Sequence, residues 1–313
     1  MKVYLYMNER LYQYGFPNHP LNPTRYRLFK KYLEESKIDK NLEIVSEYPC
    51  NEEILKYFHA EEYIKYVKRK SEEGVGLLDY GDTPAYKGVY EVSLESACAT
   101  LDAAKKALKQ KTYTMNPSGG WHHSRRDRAA GFCVFNDIGV AIEYLFSHGL
   151  AGRVYYIDID AHHGDGVYYS FEDDPRVYIF DIHESGVYLY PGTGFEWEDG
   201  RGAARGSKRN RALDPGDGDD ILLKYIDEAV EWGFEIEPDL IIMQGGMDGL
   251  AGDPLTHLRY SVDGYLSAVE RVLRLSRDLG VGLVYLGGGG YQPEVQAKTW
   301  IRVLETMLKL SLT

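Results

Sequence analysis

Cysteine is scarce in this chain, and its three copies lie far apart along the sequence. Cys50, Cys98 and Cys133 have neither the even number of a disulfide framework nor the paired spacing of a thiolate zinc site. The sequence therefore predicts neither feature.

Long apolar runs and basic runs are also missing. No segment approaches the roughly 18 apolar residues of a transmembrane helix. The first residues, MKVYLYMNERLYQYG, are interrupted by charge too early for a signal peptide. The formal net charge of -12, with no run of lysine or arginine, disfavours nucleic acid as a direct partner. We expect a soluble cytoplasmic protein without a membrane partner.

Length and pattern together predict the fold class. The 313 residues contain 44 % hydrophobic residues, enough for a substantial core, and no repeat or linker divides them. Apolar runs alternate with longer amphipathic stretches, which is typical of an α/β protein whose mostly parallel central sheet has helices on both faces. We therefore expect a single domain over residues 1–313. The predicted strands are Val3–Tyr6, Thr112–Met115, Val154–Asp160, Val177–Ile182, Leu240–Gln244 and Leu283–Gly287. The predicted helices are Thr24–Ser36, Ala60–Glu73, Glu91–Gln110, Asp137–Ser147, Asp219–Trp232, Val262–Leu279 and Glu294–Leu310.

The segment Tyr156–Gly166, YIDIDAHHGDG, carries the strongest functional signal. Asp158, Asp160 and His162 are two residues apart, so they project to one side if the strand continues that far. So many acids and imidazoles are costly to bury without a compensating ion. The segment predicts a metal site at the end of a buried strand, with Asp160 and His162 as ligands.

Polar side chains also follow other predicted strands, at the edge where parallel sheets bind ligands. An aspartate among glycines can instead serve a turn, and a histidine doublet can lie in a solvated loop. Their arrival at one edge of the sheet favours a shared site. The residues concerned are His122, His123, Asp248 and Tyr291.

These residue types fit a metal-dependent hydrolase, which needs an ion with an open position, a base and an oxyanion donor. Asp160, His162 and Asp248 offer two carboxylates and an imidazole, a set suited to zinc, with Fe(II) as an alternative. The histidine doublet offers acid–base groups, and Asp158 and Asp165 are available to orient them.

The chain resembles the histone deacetylase family, including its prokaryotic acetoin-utilisation-type and acetylpolyamine amidohydrolase members. The resemblance covers most of the chain, and its motifs occur in the family's order. The motifs are HPLNPTRYRL (His19–Leu28), YGDTP (Tyr80–Pro84), SGGWHH (Ser118–His123), GFCVFND (Gly131–Asp137), YIDIDAHHGDGV (Tyr156–Val167), YPGTG (Tyr190–Gly194), QGGMDGLAGDP (Gln244–Pro254) and GGGGY (Gly287–Tyr291). The resemblance implies an arginase–deacetylase fold and a zinc-dependent amidohydrolase that acts on acetyl-lysine of a protein or peptide.

The resemblance also implies the catalytic roles. It makes Asp160, His162 and Asp248 the zinc ligands, and it makes Tyr291 the hydrogen-bond donor to the substrate carbonyl.

The histidine doublet receives two different roles from the resemblance. His123, paired with Asp165, becomes the general base and acid. His122, paired with Asp158, becomes an electrostatic partner.

Further positions follow from the same resemblance. A structural potassium ion is expected at Asp158, Asp160, His162, Asp181 and Ile182. The substrate path is expected to involve Asp82 at the rim, Gly131, Phe132 and Tyr190 along a tunnel, and Arg25 at an inner pocket.

Several positions depart from the family's pattern. Tyr190 replaces a common phenylalanine, and Asp181 stands where eukaryotic relatives often have serine. Leu255 occupies the position after Gly-Asp-Pro where polyamine-specific relatives can carry an acid, so it favours a neutral acyl-lysine over an acetylpolyamine. The segment Gly202–Asp214 is basic and less strand-like than usual, and is interpreted as a rim loop, a partner contact or a solvated segment.

Two other functions fit the sequence less well. A ureohydrolase of the same fold needs a second metal, but Gly164 and the single acid of Met247-Asp248-Gly249 disfavour a binuclear site. A catalytically inactive acyl-lysine binding module would have lost the base or the phenol, and both are present. The alternative substrate is an acetylpolyamine or another small acetylated amine.

Overall fold

The computed structural model describes residues 2–16, 18–81 and 83–312, and within them eight parallel strands form one sheet. The strand order across the sheet is β2-β1-β3-β8-β7-β4-β5-β6. The strands are β1 Val3–Tyr6, β2 Glu43–Val45, β3 Tyr113–Asn116, β4 Val154–Asp158, β5 Val177–Glu184, β6 Lys208–Leu213, β7 Leu240–Gln244 and β8 Gly282–Leu286.

Helices cover both faces of this sheet. On one face, α1 packs against α8, α8 against α7 and α7 against α6. On the other face, α3 packs against α2 and α4. Every residue of β3, β4, β7 and β8 is buried, as expected for central strands that helices cover on both faces. The helices are α1 Thr24–Ser36, α2 Glu61–Glu73, α3 Val89–Gln110, α4 Asp137–Ser147, α5 Asp165–Ser170, α6 Asp219–Ile236, α7 Val262–Leu279 and α8 Pro293–Ser311.

The register of the strands aligns their carboxyl ends. Asp158, the last residue of β4, lies opposite Asp181 of β5 on one side and Gln244, the last residue of β7, on the other. The loops that leave these strands therefore begin at the same edge of the sheet, and the structure confirms the predicted fold class.

Several element ends differ from the predictions, and the structure adds the strands β2 and β6 and the short helix α5. β4 ends at Asp158, so Asp160 and His162 lie in the loop beyond it. The short edge strand Glu43–Val45 was not predicted. The interpretation of Gly202–Asp214 as a loop or a solvated segment was wrong for Lys208–Leu213, which pairs with the free edge of β5. Pairing with a neighbouring strand, rather than local propensity, makes this basic segment a strand.

The cysteine prediction also needs correction, because Cys50 and Cys98 form a disulfide. Their separation of 48 residues gave no signal in the sequence. Cys133 is a buried free thiol. Among the helices of the described residues, none has the length and apolar character needed to cross a membrane.

Candidate metal and acid–base site

Three potential ligands meet just beyond the carboxyl ends of β4 and β7. One ligand atom from each of Asp160, His162 and Asp248 lies within 4.8 Å of the other two. His162 Nδ1 is 2.9 Å from Asp248 Oδ2 and 3.2 Å from Asp160 Oδ1. All three side chains are largely buried. The structure thus brings the three predicted ligands into one cluster.

Hydrogen bonds from outside the cluster hold the remaining carboxylate oxygens. Asp160 Oδ2 accepts from Gln244 Nε2 and from the backbone N–H of Gly289, both at 2.9 Å. Asp248 Oδ1 accepts from the backbone N–H of Ala161 at 2.7 Å. These bonds occupy one oxygen of each carboxylate and leave the other facing His162.

The electrostatics of this cluster fit a bound cation. Burial and the neighbouring Asp160 carboxylate raise the pKa of Asp248 to about 7. Two adjacent buried carboxylates repel each other, and a divalent ion between them would compensate for both burial and repulsion. A Cβ atom at Gly289 would lie 2.6 Å from Asp248 Oδ2, so only glycine fits beside the ligands. Two carboxylates and one imidazole suit zinc or Fe(II).

His123 lies beside this cluster and is held by a carboxylate. Its Nδ1 is 2.7 Å from Asp165 Oδ1, and Asp165 Oδ2 accepts from Arg125 at 2.6 Å. Burial, together with the nearby charge of His122, lowers the pKa of His123 to about 4. Burial opposes ionisation of Asp165, but His123 and Arg125 outweigh it and lower the pKa of Asp165 to about 2. At neutral pH the pair is therefore a neutral imidazole on a carboxylate.

His122 has a different environment. Its Nδ1 is 2.8 Å from Asp158 Oδ2, which also accepts from the Tyr156 hydroxyl at 2.5 Å. Burial disfavours the charged ring, but the carboxylates of Asp158 and Asp160 outweigh burial and raise the pKa of His122. The pKa values of the two neighbouring histidines are thus shifted in opposite directions.

The side chain of Asp137 holds the loop that carries His122 and His123. Its buried carboxylate accepts backbone N–H groups of Gly120 at 2.9 Å and Trp121 at 2.8 Å, and the hydroxyl of Thr100 at 2.6 Å. Asp137 is the first residue of α4 and Thr100 lies in α3, so two helices anchor the loop that follows β3.

A pocket of about 490 Å³ opens onto His123 and His162. Gly131 approaches so closely that a Cβ there would lie 2.4 Å from the His123 ring. The Tyr190 ring lies 5.1 Å from the His123 ring, and the Phe132 ring lies 6.0 Å from that of Tyr291. The lining residues are Asp79, Tyr80, Gly81, His123, Arg128, Ala129, Ala130, Gly131, Phe132, His162, Leu189, Tyr190, Leu255 and Tyr291.

The other predicted positions are distributed as follows. Arg25 is buried outside the pocket lining and donates to the carbonyl oxygen of Gly288 at 2.9 Å. Asp181 accepts from the N–H of Gly164 at 2.9 Å and lies 2.6 Å from His183, while Ile182 follows it in β5. Asp82 lies outside the described residues.

Three residues that hold the site were not predicted from the sequence. Gln244 and Arg125 contact the carboxylates of Asp160 and Asp165, and Tyr156 contacts that of Asp158. A signal existed for two of them. Gln244 ends a strand at the same edge of the sheet, and Tyr156 precedes an acid by two residues on one strand. Arg125 had no such signal.

Known protein families and proteins resemble this chain along most of its length. Residues 19–307 match the histone deacetylase domain family. The acetoin utilization protein AcuC of Bacillus subtilis is 38 % identical over 304 residues, which cover 91 % of this chain and 77 % of AcuC. The histone deacetylase RPD3 of Saccharomyces cerevisiae is 31 % identical over 303 residues, which cover 92 % and 67 % of the two chains.

Solved structures agree in fold. The crystal structure of an HDAC homologue from Aquifex aeolicus has a TM-score of 0.86 and 32 % identity, and the match covers 98 % of this chain and 84 % of that one. An HDAC homologue complexed with SAHA matches with the same values. The HD domain of HDA15, at 23 % identity and a TM-score of 0.89, shares the fold.

Proposed function

This chain belongs to the histone deacetylase family, and from that membership we propose that it is a zinc-dependent deacetylase acting on acetyl-lysine of a protein or peptide. One observation carries the proposal. The cluster of Asp160, His162 and Asp248 adjoins the pocket into which His123 faces. A ligand set and an acid–base group at one pocket are the minimum for hydrolysis of an unactivated amide.

Asp160, His162 and Asp248 would hold the proposed zinc ion. When bound, it would polarise the substrate carbonyl and favour ionisation of a water. Because these residues supply three ligands, one position stays open for chemistry. Fe(II) suits the same ligands.

His123 performs the proton transfers in this proposal. Its Nδ1 is engaged by Asp165, so Nε2 is the atom available to the pocket. Nε2 accepts a proton from the attacking water as the new C–O bond forms on the acetyl carbon. It then donates that proton to the amine nitrogen as the C–N bond breaks, which yields acetic acid and a free amine. The proton of the acid then passes to the amine, which leaves acetate and an ammonium group.

Other residues stabilise charge around this reaction. The Tyr291 phenol donates a hydrogen bond to the carbonyl oxygen, where negative charge develops. Its pKa is raised by burial and the nearby acids, so it keeps its proton at neutral pH. His122 carries positive charge beside Asp158 and acts electrostatically.

The pocket walls support an acyl-lysine substrate. Gly131, Phe132 and Tyr190 line the pocket and would contact an apolar chain, and Leu255 adds an apolar side chain that offers no counter-charge to a second amine. We propose that Asp82 grips the substrate backbone at the rim. An acetylpolyamine is the alternative substrate. If the enzyme preferred it, rim residues would determine specificity more strongly than Leu255 does.

Three further assignments belong to the proposal. Residues 1–313 form one catalytic domain. Asp158, Asp160, His162, Asp181 and Ile182 would hold a potassium ion where the end of β4 lies opposite Asp181 of β5. Arg25 lines an inner pocket.

A substrate panel tests the proposal. Purified protein reconstituted with zinc would be assayed on acetyl-lysine peptides, longer acyl-lysines and acetylpolyamines, with His123→Ala as the matched inactive control. We expect release of acetate from acetyl-lysine peptides and inhibition by SAHA, the ligand of a similar HDAC homologue. Absence of turnover on every amide would contradict the function, and preferred turnover of acetylpolyamines would contradict the substrate.

A further inference from the structure

A single buried carboxylate joins the loop that carries Asp248 to the loop that carries Tyr291. Asp253 Oδ2 accepts the backbone N–H of Tyr291 at 2.9 Å, and Oδ1 accepts the backbone N–H of Leu255 at 2.9 Å. The side chain is only 8 % exposed. Both of its oxygens are therefore used to hold pocket residues.

The bond to Tyr291 holds a backbone that has little other support. Helix α8 begins at Pro293, so the Tyr291 N–H precedes the helix and its hydrogen-bond ladder. Gly290, just before it, has a φ of +123°, a conformation open mainly to glycine. Local propensity thus leaves the direction of Tyr291 open, and Asp253 fixes it.

Neighbouring contacts between the same two loops involve no charged group. The N–H of Met247 donates to the carbonyl of Gly289 at 3.0 Å, and Gln292 Nε2 donates to the carbonyl of Ala251 at 3.4 Å. A hydrogen bond to an ionised carboxylate is stronger than these neutral bonds. Asp253 is thus the strongest link that reaches Tyr291 itself.

We propose that Asp253 is a positioning residue that sets the direction in which the Tyr291 phenol enters the pocket, and that it links this direction to the Leu255 wall. The inference rests on the proposed deacetylase function. In this proposal the loop that carries Asp248 places both that metal ligand and the oxyanion donor Tyr291.

The chemistry of the contact offers a near-isosteric test. Both partners of Asp253 are N–H donors, and a carboxylate accepts from both, whereas an asparagine amide accepts with its oxygen alone. Asp253→Asn should therefore lose one bond and weaken the other, because its amide is neutral, with little change in volume. We expect kcat to fall on the order of tenfold, with KM changed less than about twofold, because the phenol acts on charge that develops in the transition state.

A double-mutant cycle with Tyr291→Phe separates positioning from general damage. If Asp253 acts through the phenol, Asp253→Asn should change kcat less than about twofold when the hydroxyl is already gone. If Asp253→Asn lowered kcat by the same factor with and without the Tyr291 hydroxyl, the proposal would be overturned. Should Asp253→Asn fail to fold, Asp253→Glu takes its place in the cycle. Its extra methylene displaces the carboxylate, and the same loss of effect is expected.

Asp239 provides the matched control. Its Oδ2 also accepts two backbone N–H groups, from Gly152 at 2.7 Å and Arg153 at 2.9 Å, at the opposite edge of the sheet. Because a single oxygen accepts both bonds, an asparagine could keep them, so the control is Asp239→Ala, which removes both bonds and should leave kcat unchanged. A fall in kcat equal to that of Asp253→Asn would mean that loss of any such loop contact damages the enzyme, and would overturn the specific role.

Amide hydrogen exchange tests the contact without activity. The Tyr291 N–H should exchange about tenfold faster in Asp253→Asn than in the unsubstituted protein, while β7 amides stay unchanged. Equal exchange at Tyr291 would overturn the proposal even in an inactive protein. Absence of deacetylation by the unsubstituted zinc protein, by contrast, would reject the proposed function, so the two failures are distinguishable.

Discussion

Asp165 lies 2.7 Å from Nδ1 of His123 and fixes the face that the imidazole presents to the pocket. Arg125 holds the second oxygen of this carboxylate at 2.6 Å, so Asp165 stays ionised and its geometry is fixed. The neighbouring His122 has a similar bond to Asp158, but its pKa is raised where that of His123 is lowered. Similar contacts thus give one histidine suited to accept a proton and one suited to remain charged.

The first prediction concerns these two histidines. His123→Ala should lower kcat by about 10²–10⁴-fold, because proton transfer in both steps depends on its Nε2. The Kd of SAHA should change far less, since the ligand cluster stays intact. The measurement is kcat on an acetyl-lysine peptide together with the Kd of the inhibitor.

His122→Ala is the comparison for that prediction. It should lower kcat less than His123→Ala, because an electrostatic partner is removed and the proton carrier remains. Greater damage in the His122 variant at all pH values would reverse the two assignments.

The second prediction concerns substrate choice. Leu255 lines the pocket, and Leu255→Glu would place a carboxylate near the far end of a bound amine. A partly exposed ion pair contributes about 1 kcal/mol, so kcat/KM for acetylspermidine relative to an acetyl-lysine peptide should rise roughly fivefold. Leu255→Gln is the neutral control and should leave the ratio near that of the unsubstituted protein. An unchanged ratio in Leu255→Glu would mean that this position does not contact the distal amine.

The third prediction concerns pH and stability. His59 is buried, its Nε2 accepts the N–H of Asn136 at 2.9 Å, and burial lowers its pKa to about 3. The folded state binds the proton less readily than the unfolded state, whose histidine has a pKa near 6.5. The stability that the folded protein gains from keeping His59 neutral is therefore fully present above about pH 6.5 and is lost as the pH falls towards 3.

Urea unfolding at two pH values measures this effect. Between pH 7 and pH 5 the unsubstituted protein should lose about 2 kcal/mol more stability than His59→Gln, which keeps an acceptor but does not titrate. The same pH dependence in both proteins would show that His59 does not stay neutral.

Much of the fold could be predicted from sequence periodicity, and the strands that could not be predicted were missed for physical reasons. β1 and β7 begin and end where they were predicted because continuous apolar runs mark central strands. β2 and β6 were missed because edge strands owe their conformation to a neighbouring strand. In β6, four of the six residues KRNRAL are polar or charged, so local sequence favoured a loop.

The candidate site also has a part that could be predicted from the sequence and a part that could not. Residues in loops that follow strands, such as Asp248 after β7 and His123 after β3, could be placed because parallel strands end at one edge of the sheet. Contacts such as that between Arg125 and Asp165 join segments 40 residues apart and depend on the folded loops. The disulfide between Cys50 and Cys98 also depends on tertiary proximity.

The fourth prediction concerns the ligands. Asp160→Ala, His162→Ala and Asp248→Ala should each abolish bound zinc and activity, because three ligands leave no redundancy. Asp239→Ala is the control and should bind zinc normally. A ligand variant that kept full zinc and activity would remove that residue from the metal site.

Titration of metal-free protein with zinc, followed by both bound metal and acetate release, tests the central claim most directly. A single metal site that performs the hydrolysis predicts that activity rises linearly and saturates at one equivalent of bound zinc per chain. Full activity in metal-free protein, or activity that appears only at two equivalents, would contradict the account.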